Sequence, residues 1–321
     1  MSRQGVSLIV TVRDEEETIG ALLDSMLRQT RPPDEVVIND CQCVDRTMEI
    51  VARYRGRLPL RTTAGGANIP AGRNTAIRAA QGPLIACTDA GLWLDEHWLE
   101  RIVAPLEQGA VELAAGFFMP DPHSPLERVL GAINYYRGVE EVDPERFLPS
   151  GRSMAFTRAA WEAVGGFPED LPYSEDLVFA RRLLQAGYRK QFVPDAVVHF
   201  RPRSSVGAFF RQYRNYAYGD GLAGLWPRRH ALRYGSYAAG LALLAAGFLW
   251  PPLWALLALG GLGYMAPFYR RLWPALPQLA PTWRAGAFLL VPILRVVGDV
   301  AKMVGYAQGR WGARKRPGEG W

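Results

Sequence analysis

Over residues 6–88 short apolar runs alternate with stretches of helical periodicity, and this alternation narrows the possible folds more than any other feature of the chain. Val6 to Val12 suits a strand buried on both faces. It is followed by Asp14-Glu15-Glu16-Glu17 and an apolar stripe at Ile19, Leu22, Leu23, Met26 and Leu27. That spacing covers one face of a helix with acids in its first turn. Beyond Pro32-Pro33 the pattern predicts a strand over Glu35 to Asn39 ending at Asp40, a helix over Thr47 to Tyr54 and a strand near Leu58 to Arg61. A helix from about Ala71 to Ala80 and a strand over Leu84 to Thr88 complete it. Strict alternation implies parallel strands joined by crossover helices, hence an α/β fold. The carboxyl ends of its strands then gather Thr11 to Arg13, Asp40 and Asp89 on one edge, where ligands bind open parallel sheets.

Further on, a helix is expected from near Asp95 with Trp98, Leu99, Ile102, Val103 and Leu106 inward, then a strand over Val111 to Phe118. Pro120 to Pro149 reads as loop with a helix over Pro125 to Arg137, and Met154 to Phe156 leads into a helix capped by Thr157. Gly165-Gly166-Phe167-Pro168 marks a turn. Ser174-Glu175-Asp176 opens a helix to about Ala186 that Gly187 stops, and a last strand ends at Val198-His199.

The net charge of +6 conceals an asymmetry. Residues 201–321 hold 16 of the 37 Arg and Lys but only 3 of the 31 Asp and Glu, leaving 21 against 28 for residues 1–200. The two parts therefore carry −7 and +13. A basic second part implies anionic surroundings, lipid headgroups or nucleic acid. Ser236 to Ala266 has no charged residue and is interrupted only by Pro251-Pro252, which favours lipid: two tilted spans or a re-entrant hairpin. Arg228, Arg229 and Arg233 before it, with Arg270 and Arg271 after it, would put both ends in the cytoplasm. Ala285 to Tyr306 carries Arg295, Asp299 and Lys302 at helical spacing and suits an interfacial helix or a span. Phe209, Phe210, Tyr213, Tyr216 and Tyr218, interleaved with Arg211 and Arg214, suit a helix at a membrane interface rather than an RNA surface. The first residues lack the apolar core of a signal peptide, so the first part is expected in the cytosol. Cys41, Cys43 and Cys87 lack the paired spacing of a zinc site and are expected to be reduced thiols.

Asp89 stands where a buried strand meets a glycine turn, and an acid there calls for a cation or a hydrogen-bonding ligand. Ser174 can cap a helix whose start Glu175-Asp176 favours through the dipole, and the same ionised carboxylates can serve as a general base. His199 at a strand end is either structural or a metal ligand beside Asp89. Gly72-Arg73-Asn74 can offer N–H groups and a cation to phosphate or base, or simply start a helix. Neither a phosphate-binding P-loop nor a dinucleotide glycine fingerprint occurs, which argues against nucleotide hydrolysis and hydride transfer.

Taken in order, these motifs resemble the family 2 glycosyltransferases with the GT-A fold over most of residues 5–225. The resemblance rests on Leu8-Ile9-Val10-Thr11-Val12-Arg13-Asp14-Glu15-Glu16, on Asp40 with Asp45-Arg46-Thr47, and on Gly72-Arg73-Asn74-Thr75-Ala76. Thr88-Asp89-Ala90, Gly165-Gly166-Phe167 and Ser174-Glu175-Asp176 complete it. It implies a Rossmann-like, mostly parallel sheet with flanking helices and an inverting transfer of sugar from a nucleoside diphosphate donor. Thr11, Arg13, Glu15, Asp40 and Arg73 would line the nucleoside pocket. Asp89 and His199 would hold Mg²⁺ or Mn²⁺ on the diphosphate, Asp176 with Glu175 beside it would deprotonate the acceptor, and Gly151 and Arg152 would lie near that acceptor.

Three departures from the family pattern stand out. Asp89-Ala90-Gly91 offers one acid where two are usual, Cys41-Gln42-Cys43-Val44 replaces a glycine-rich loop, and Arg211 to Asn215 does not match the Gln-x-x-Arg-Trp motif of processive synthases. Single-sugar transfer to a lipid-linked or other membrane-proximal glycan acceptor is therefore expected, at the cytoplasmic face of an inner membrane and in envelope polysaccharide synthesis, with no nucleic-acid partner. A polyprenyl-phosphate sugar synthase and a non-catalytic nucleotide-sugar-binding subunit are the alternatives. The expected organisation is a GT-A domain over 1–203, a basic aromatic interfacial region over 204–234, and membrane-associated helices with a basic tail over 235–321.

Overall fold

A computed structural model describes residues 4–314. The basic tail expected beyond lies outside the described residues. The chain divides into two compact units, one formed by residues 1–120 and 136–201 and the other by residues 121–135 and 202–321.

The first unit opens with β1 (Val6–Val12), α1 (Ile19–Leu27), β2 (Glu35–Asp40), α2 (Thr47–Ala52), β3 (Leu60–Ala64), α3 (Ile69–Ala79) and β4 (Leu84–Cys87). It continues through β5 (Leu92–Leu94), α4 (Trp98–Glu107) and β6 (Leu113–Pro120). α5 (Pro125–Asn134) belongs to the second unit, although in sequence it interrupts the first. β7 (Met154–Thr157), α6 (Arg158–Ala163), α7 (Glu175–Gln185) and β8 (Lys190–Phe200) complete the first unit.

The eight strands form one sheet in the order β3-β2-β1-β4-β7-β6-β8-β5. β1 pairs in parallel with β2 on one side and with β4 on the other. The chain thus winds outward through β2 and β3 and then crosses over, so the ends of β1 and β4 flank the topological switch point where such sheets bind ligands. Val6, Leu8, Ile9 and Val10 are fully buried, as a strand covered on both faces requires. Ile19, Leu22, Leu23 and Met26 of α1 are buried at helical spacing. The acids Asp14 to Glu17 precede α1 instead of forming its first turn. α3 starts at Asn68, whose side chain accepts from Ala71 N at 3.1 Å, with Pro70 in the first turn.

The sheet is parallel over β1 to β4, as the alternation implies, and mixed past residue 88. β7 runs antiparallel to β4 and β6, β5 runs antiparallel to β8, and β6 with β8 is parallel. Alternation lapses there into the loop-rich stretch after Pro120, so no crossover helix enforces parallel pairing.

The second unit contains α5 with α8 (Val206–Leu222), α9 (Pro227–Ala246), α10 (Pro252–Leu272) and α11 (Pro281–Arg314). Val129, Leu130, Ile133, Phe209, Leu272, Val291 and Leu294 form its apolar core. α8 and α11 cross closely, because a Cβ at Gly305 or Gly309 would collide with the carbonyls of Arg214 or Tyr218. The two expected membrane spans are corrected: among the described residues no helix is long and apolar enough to cross a membrane. α9 begins with Arg228, Arg229 and Arg233, which leaves its apolar stretch short, and α10 is diluted by Gly260, Gly261, Gly263 and Pro267. What the pair does present is apolar surface, with Phe248 74% and Leu249 91% exposed in the turn between the helices.

Candidate active site

The switch point is built by close packing of α3 on the ends of β1 and β2. A Cβ at Gly72 would lie 2.5 Å from Cys41 Sγ and 3.0 Å from Asn39 Nδ2 and Thr11 Cγ2, so glycine is required for the helix to approach. Thr11 is half-buried at the end of β1 and Arg13 is exposed just beyond it. Glu15 N donates to Thr47 Oγ1 at 2.7 Å, and its carboxylate accepts from Thr18 Oγ1 at 2.6 Å. Asp40, half-buried, accepts from Cys43 N at 2.8 Å and so shapes the loop that follows β2. Burial pushes the Cys87 thiol up to about 12 and the Cys43 thiol up to about 11, in keeping with three free cysteines.

Arg73 lies on the buried side of α3, only 3% exposed. Its Nη2 donates to Asp89 Oδ1 at 2.5 Å, its Nη1 donates to Glu175 Oε1 at 2.6 Å, and its guanidinium sits 5.4 Å from the Phe167 ring centroid. Burial disfavours the cation, but the charges of Asp89 and Glu175 win and raise its affinity for the proton. Asn74, the next residue, pins the Gly165-Gly166-Phe167 turn beneath this cluster. It donates to Phe167 O at 2.8 Å and accepts from Phe167 N at 3.0 Å and Trp161 Nε1 at 3.1 Å.

Ser174 does not cap α7 as expected: it adopts a left-handed backbone, φ 63°, and makes no side-chain cap bond. Asp176 instead ties the helix start to the loop before β7, accepting from Gly151 N at 2.8 Å through Oδ2 and from Leu177 N at 2.8 Å through Oδ1. Gly151 lies so near Arg73 that a Cβ there would strike the guanidinium. Asp89, Arg73, Glu175, Gly151 and Asp176 are thus joined through successive contacts. Glu175 is buried, and burial first, then the neighbouring Asp176 charge, push its carboxyl up to about 7 against the pull of Arg73. Arg152 packs its guanidinium over the rings of Phe200 and Phe118, 4.7 and 5.2 Å from their centroids, and its carbonyl accepts from Thr88 Oγ1 at 2.9 Å.

His199 lies on β8 opposite Trp93 of β5, with their rings stacked 6.0 Å apart. Pairing of β5 with β8 therefore brings this strand toward the turn that follows Asp89. No bond of Asp89 Oδ2 to a described residue is formed, and that side chain is 36% exposed, so one carboxylate oxygen is left to meet a cation. A carboxylate and an imidazole fit Mg²⁺ or Mn²⁺, which take oxygen and nitrogen donors with phosphate and water completing the shell. Asp14, Cys43 and Asp45 also gather within 4.8 Å. Their carboxylates, however, already accept from Val44 N, Glu16 N and Thr47 N and serve to lace two loops together.

Sequence reasoning missed β5, Phe167 beneath Arg73, and the part Asn74 plays. Leu92-Trp93-Leu94 alternates over too few residues to be distinctive, whereas an asparagine beside a buried arginine at a helix start was a visible signal.

The family described as glycosyl transferase family 2 matches residues 7–164, and glycosyl transferase family group 2 matches residues 133–291. The O-antigen chain rhamnosyltransferase WbaN of Salmonella anatum is 25% identical over 203 residues, covering 57% of this chain and 62% of that protein. The glycosyltransferase AglE of Haloferax volcanii is 27% identical over 255 residues, 77% of this chain and 82% of that one. Among solved structures, the mannosyltransferase PcManGT from Pyrobaculum calidifontis, in complex with GDP-Man and Mn²⁺, has a TM-score of 0.68 at 22% identity, covering 97% of this chain and 88% of its own. That likeness establishes the shared fold.

Proposed function

The chain belongs to the family 2 glycosyl transferases, and from that premise we propose that it transfers one sugar, with inversion, from a nucleoside diphosphate to a lipid-linked or membrane-proximal glycan acceptor. The observation that carries this reading is the chain of contacts from Asp89 through Arg73 to Gly151 and Asp176. It links a carboxylate suited to a donor's cation and a carboxylate suited to an acceptor's hydroxyl to one buried guanidinium.

Thr11, Arg13, Glu15 and Asp40, at the ends of β1 and β2, form the nucleoside side of the site, with Arg73 as its inner wall. Asp89 and His199 would hold a divalent ion, which neutralises charge on the departing diphosphate when bound. Asp176 takes the proton from the acceptor hydroxyl as that oxygen attacks the sugar carbon. Its bond from Gly151 N fixes the carboxylate's direction, and Arg152, braced by two rings, extends the acceptor side. Glu175 holds Arg73, which in turn orients Asp89.

The surface of the second unit, taken by itself, supports membrane proximity. Leu241, Phe248, Leu249, Trp250, Leu259 and Leu262 are exposed on α9, α10 and their connection, with Arg228, Arg229, Arg270 and Arg271 at the other ends of the pair. Apolar side chains at the tip and arginines at the base suit a helix pair resting in the cytoplasmic leaflet of an inner membrane, as an envelope polysaccharide enzyme needs.

The test is release of nucleoside diphosphate from a panel of sugar donors in detergent, with and without Mg²⁺ or Mn²⁺. Metal-dependent release, lost in Asp89→Asn and Asp176→Asn, supports the reading. Donor binding by calorimetry without turnover, indifferent to Asp176→Asn, replaces it with a binding subunit.

A further inference from the structure

The turn that carries Gly151 is held from two directions. Ser153 N donates to Ser150 O at 2.9 Å and closes a β-turn with Gly151 and Arg152 as its central residues. The downstream arm is fixed to the sheet: Ser153 O accepts from Gly116 N at 3.0 Å, while the Ser153 hydroxyl accepts from Trp98 Nε1 at 2.8 Å and donates to Ala196 O at 3.3 Å. The upstream arm, residues 143–149, lies outside the strands, so side chains have to set its place.

Lys190, the first residue of β8, supplies most of that restraint. Its Nζ donates to Pro144 O and Glu145 O, each at 3.1 Å, and to Phe147 O at 2.6 Å. Three acceptors match the three donors of an ammonium, and a neutral amine has one donor fewer. Burial lowers this group's affinity for its proton, with the charges of Glu145 and Asp143 opposing. The bonded carbonyls belong to a turn in which Asp143 O accepts from Arg146 N at 3.1 Å and from Phe147 N at 2.9 Å, so fixing them fixes the turn as a body. Phe147 is buried below it, its ring 4.7 Å from that of Phe192 and 6.2 Å from that of Phe118. Phe147 stands four residues before Gly151, and Pro149 restricts the chain between them.

We propose that Lys190 is a positioning residue for sugar transfer: by holding the upstream arm it sets the place of Gly151 N, which donates to Asp176 Oδ2 at 2.8 Å and so aims that carboxylate. Its influence is carried by the backbone of residues 147–151, while the downstream arm stays anchored at Ser153. The proposal rests on the reading of Asp176 as the general base.

The test compares the full chain with Lys190→Met, which removes all three donors, and Lys190→Arg, which keeps the charge and further donors on a longer stem. Amide hydrogen exchange is followed by mass spectrometry in peptides spanning residues 147–153, beside peptides of β1. Nucleoside diphosphate release is measured with the nucleotide sugar that the donor panel selects. In Lys190→Met the peptides over 147–153 should exchange about tenfold faster and those of β1 as in wild type, because lost charge-assisted bonds favour local opening. Its kcat should fall by a factor on the order of 10 to 10², as for a reacting group displaced by about 1 Å, with KM for the donor unchanged. Lys190→Arg should recover part of both losses. Faster exchange with kcat unchanged makes Lys190 a purely structural residue and overturns the proposal; so does a fall in kcat with exchange unchanged. Should Lys190→Met exchange faster in β1 as well, its fold is loosened as a whole, and Lys190→Arg is judged by the same two readouts. If the wild type releases no nucleoside diphosphate from any donor, the sugar-transfer reading fails, whereas the exchange measurement still decides whether Lys190 holds the turn.

Discussion

Arg73 donates to Asp89 at 2.5 Å from within the fold, and in doing so a buried cation on α3 fixes the lone acid that follows β4. Where the family resemblance leads one to expect two acids, this chain has one acid and an arginine behind it. Only one oxygen of Asp89 is spent on that bond, so orientation is gained without using up the carboxylate.

Removing Arg73 should leave Glu175 buried beside Asp176 with no counter-charge. Arg73→Met is expected to cost about 3 to 5 kcal/mol in denaturant unfolding. Adding Glu175→Gln should recover much of that stability while turnover of donor stays low, since Asp89 has still lost its partner. A double variant as unstable as the single one would show that packing, and not charge, is what Arg73 supplies.

Glu175 should imprint a pH slope on stability. Its folded carboxyl, pushed up to about 7, holds a proton that the unfolded chain, with the ordinary value of 4.5, has released. The native state then binds more protons between those values, so stability falls as pH rises from 4.5 to 7 and is lowest above. Glu175→Gln should remove that slope. Urea midpoints measured at pH 5 and pH 8 for both proteins decide this.

Gly151→Ala would force a methyl against the Arg73 guanidinium. A loss of about 1 to 3 kcal/mol is expected, as for other overpacked sites. If Gly151 also flanks the acceptor, kcat should fall by more than stability explains, which unfolding and steady-state assays on the same preparation separate.

Metal titration should distinguish the two donors proposed for the ion. His199→Ala is expected to raise the Mn²⁺ concentration needed for half-maximal turnover, with excess metal restoring the rate, because a carboxylate anchor remains. Asp89→Asn should not be restored by any excess. Equal metal dependence in wild type and His199→Ala would remove His199 from the site.

The elements legible in the sequence are those whose partners are local. Val6 to Val12 is legible to the residue as a strand because its burial on both faces leaves a continuous apolar run, and Ile19 to Met26 of α1 displays its buried stripe. Thr157, legible as a cap, does accept from Ala160 N. Contacts set by distant segments were illegible: Glu175 lies 102 residues from Arg73, and nothing near either one announces the pair. Ser174 looked like a cap, yet its left-handed backbone leaves the anchoring to Asp176 and Gly151. Ser236 to Ala266 looked like membrane spans from composition, but helix boundaries decide span length, and α9 starts among arginines. Asp299 read as a charge on an amphipathic face, whereas three helices bring two arginines and two tyrosines to bury it.

The most direct test of the account is the rate of nucleoside diphosphate release by Asp176→Asn at saturating donor, acceptor and metal, beside its affinity for the donor alone. A general base accounts for a rate factor on the order of 10² to 10⁴, and Asp176, bonded to Gly151 beside Arg73, is the carboxylate proposed for that role. The account predicts a fall of that size with donor affinity unchanged. A rate equal to wild type would contradict it.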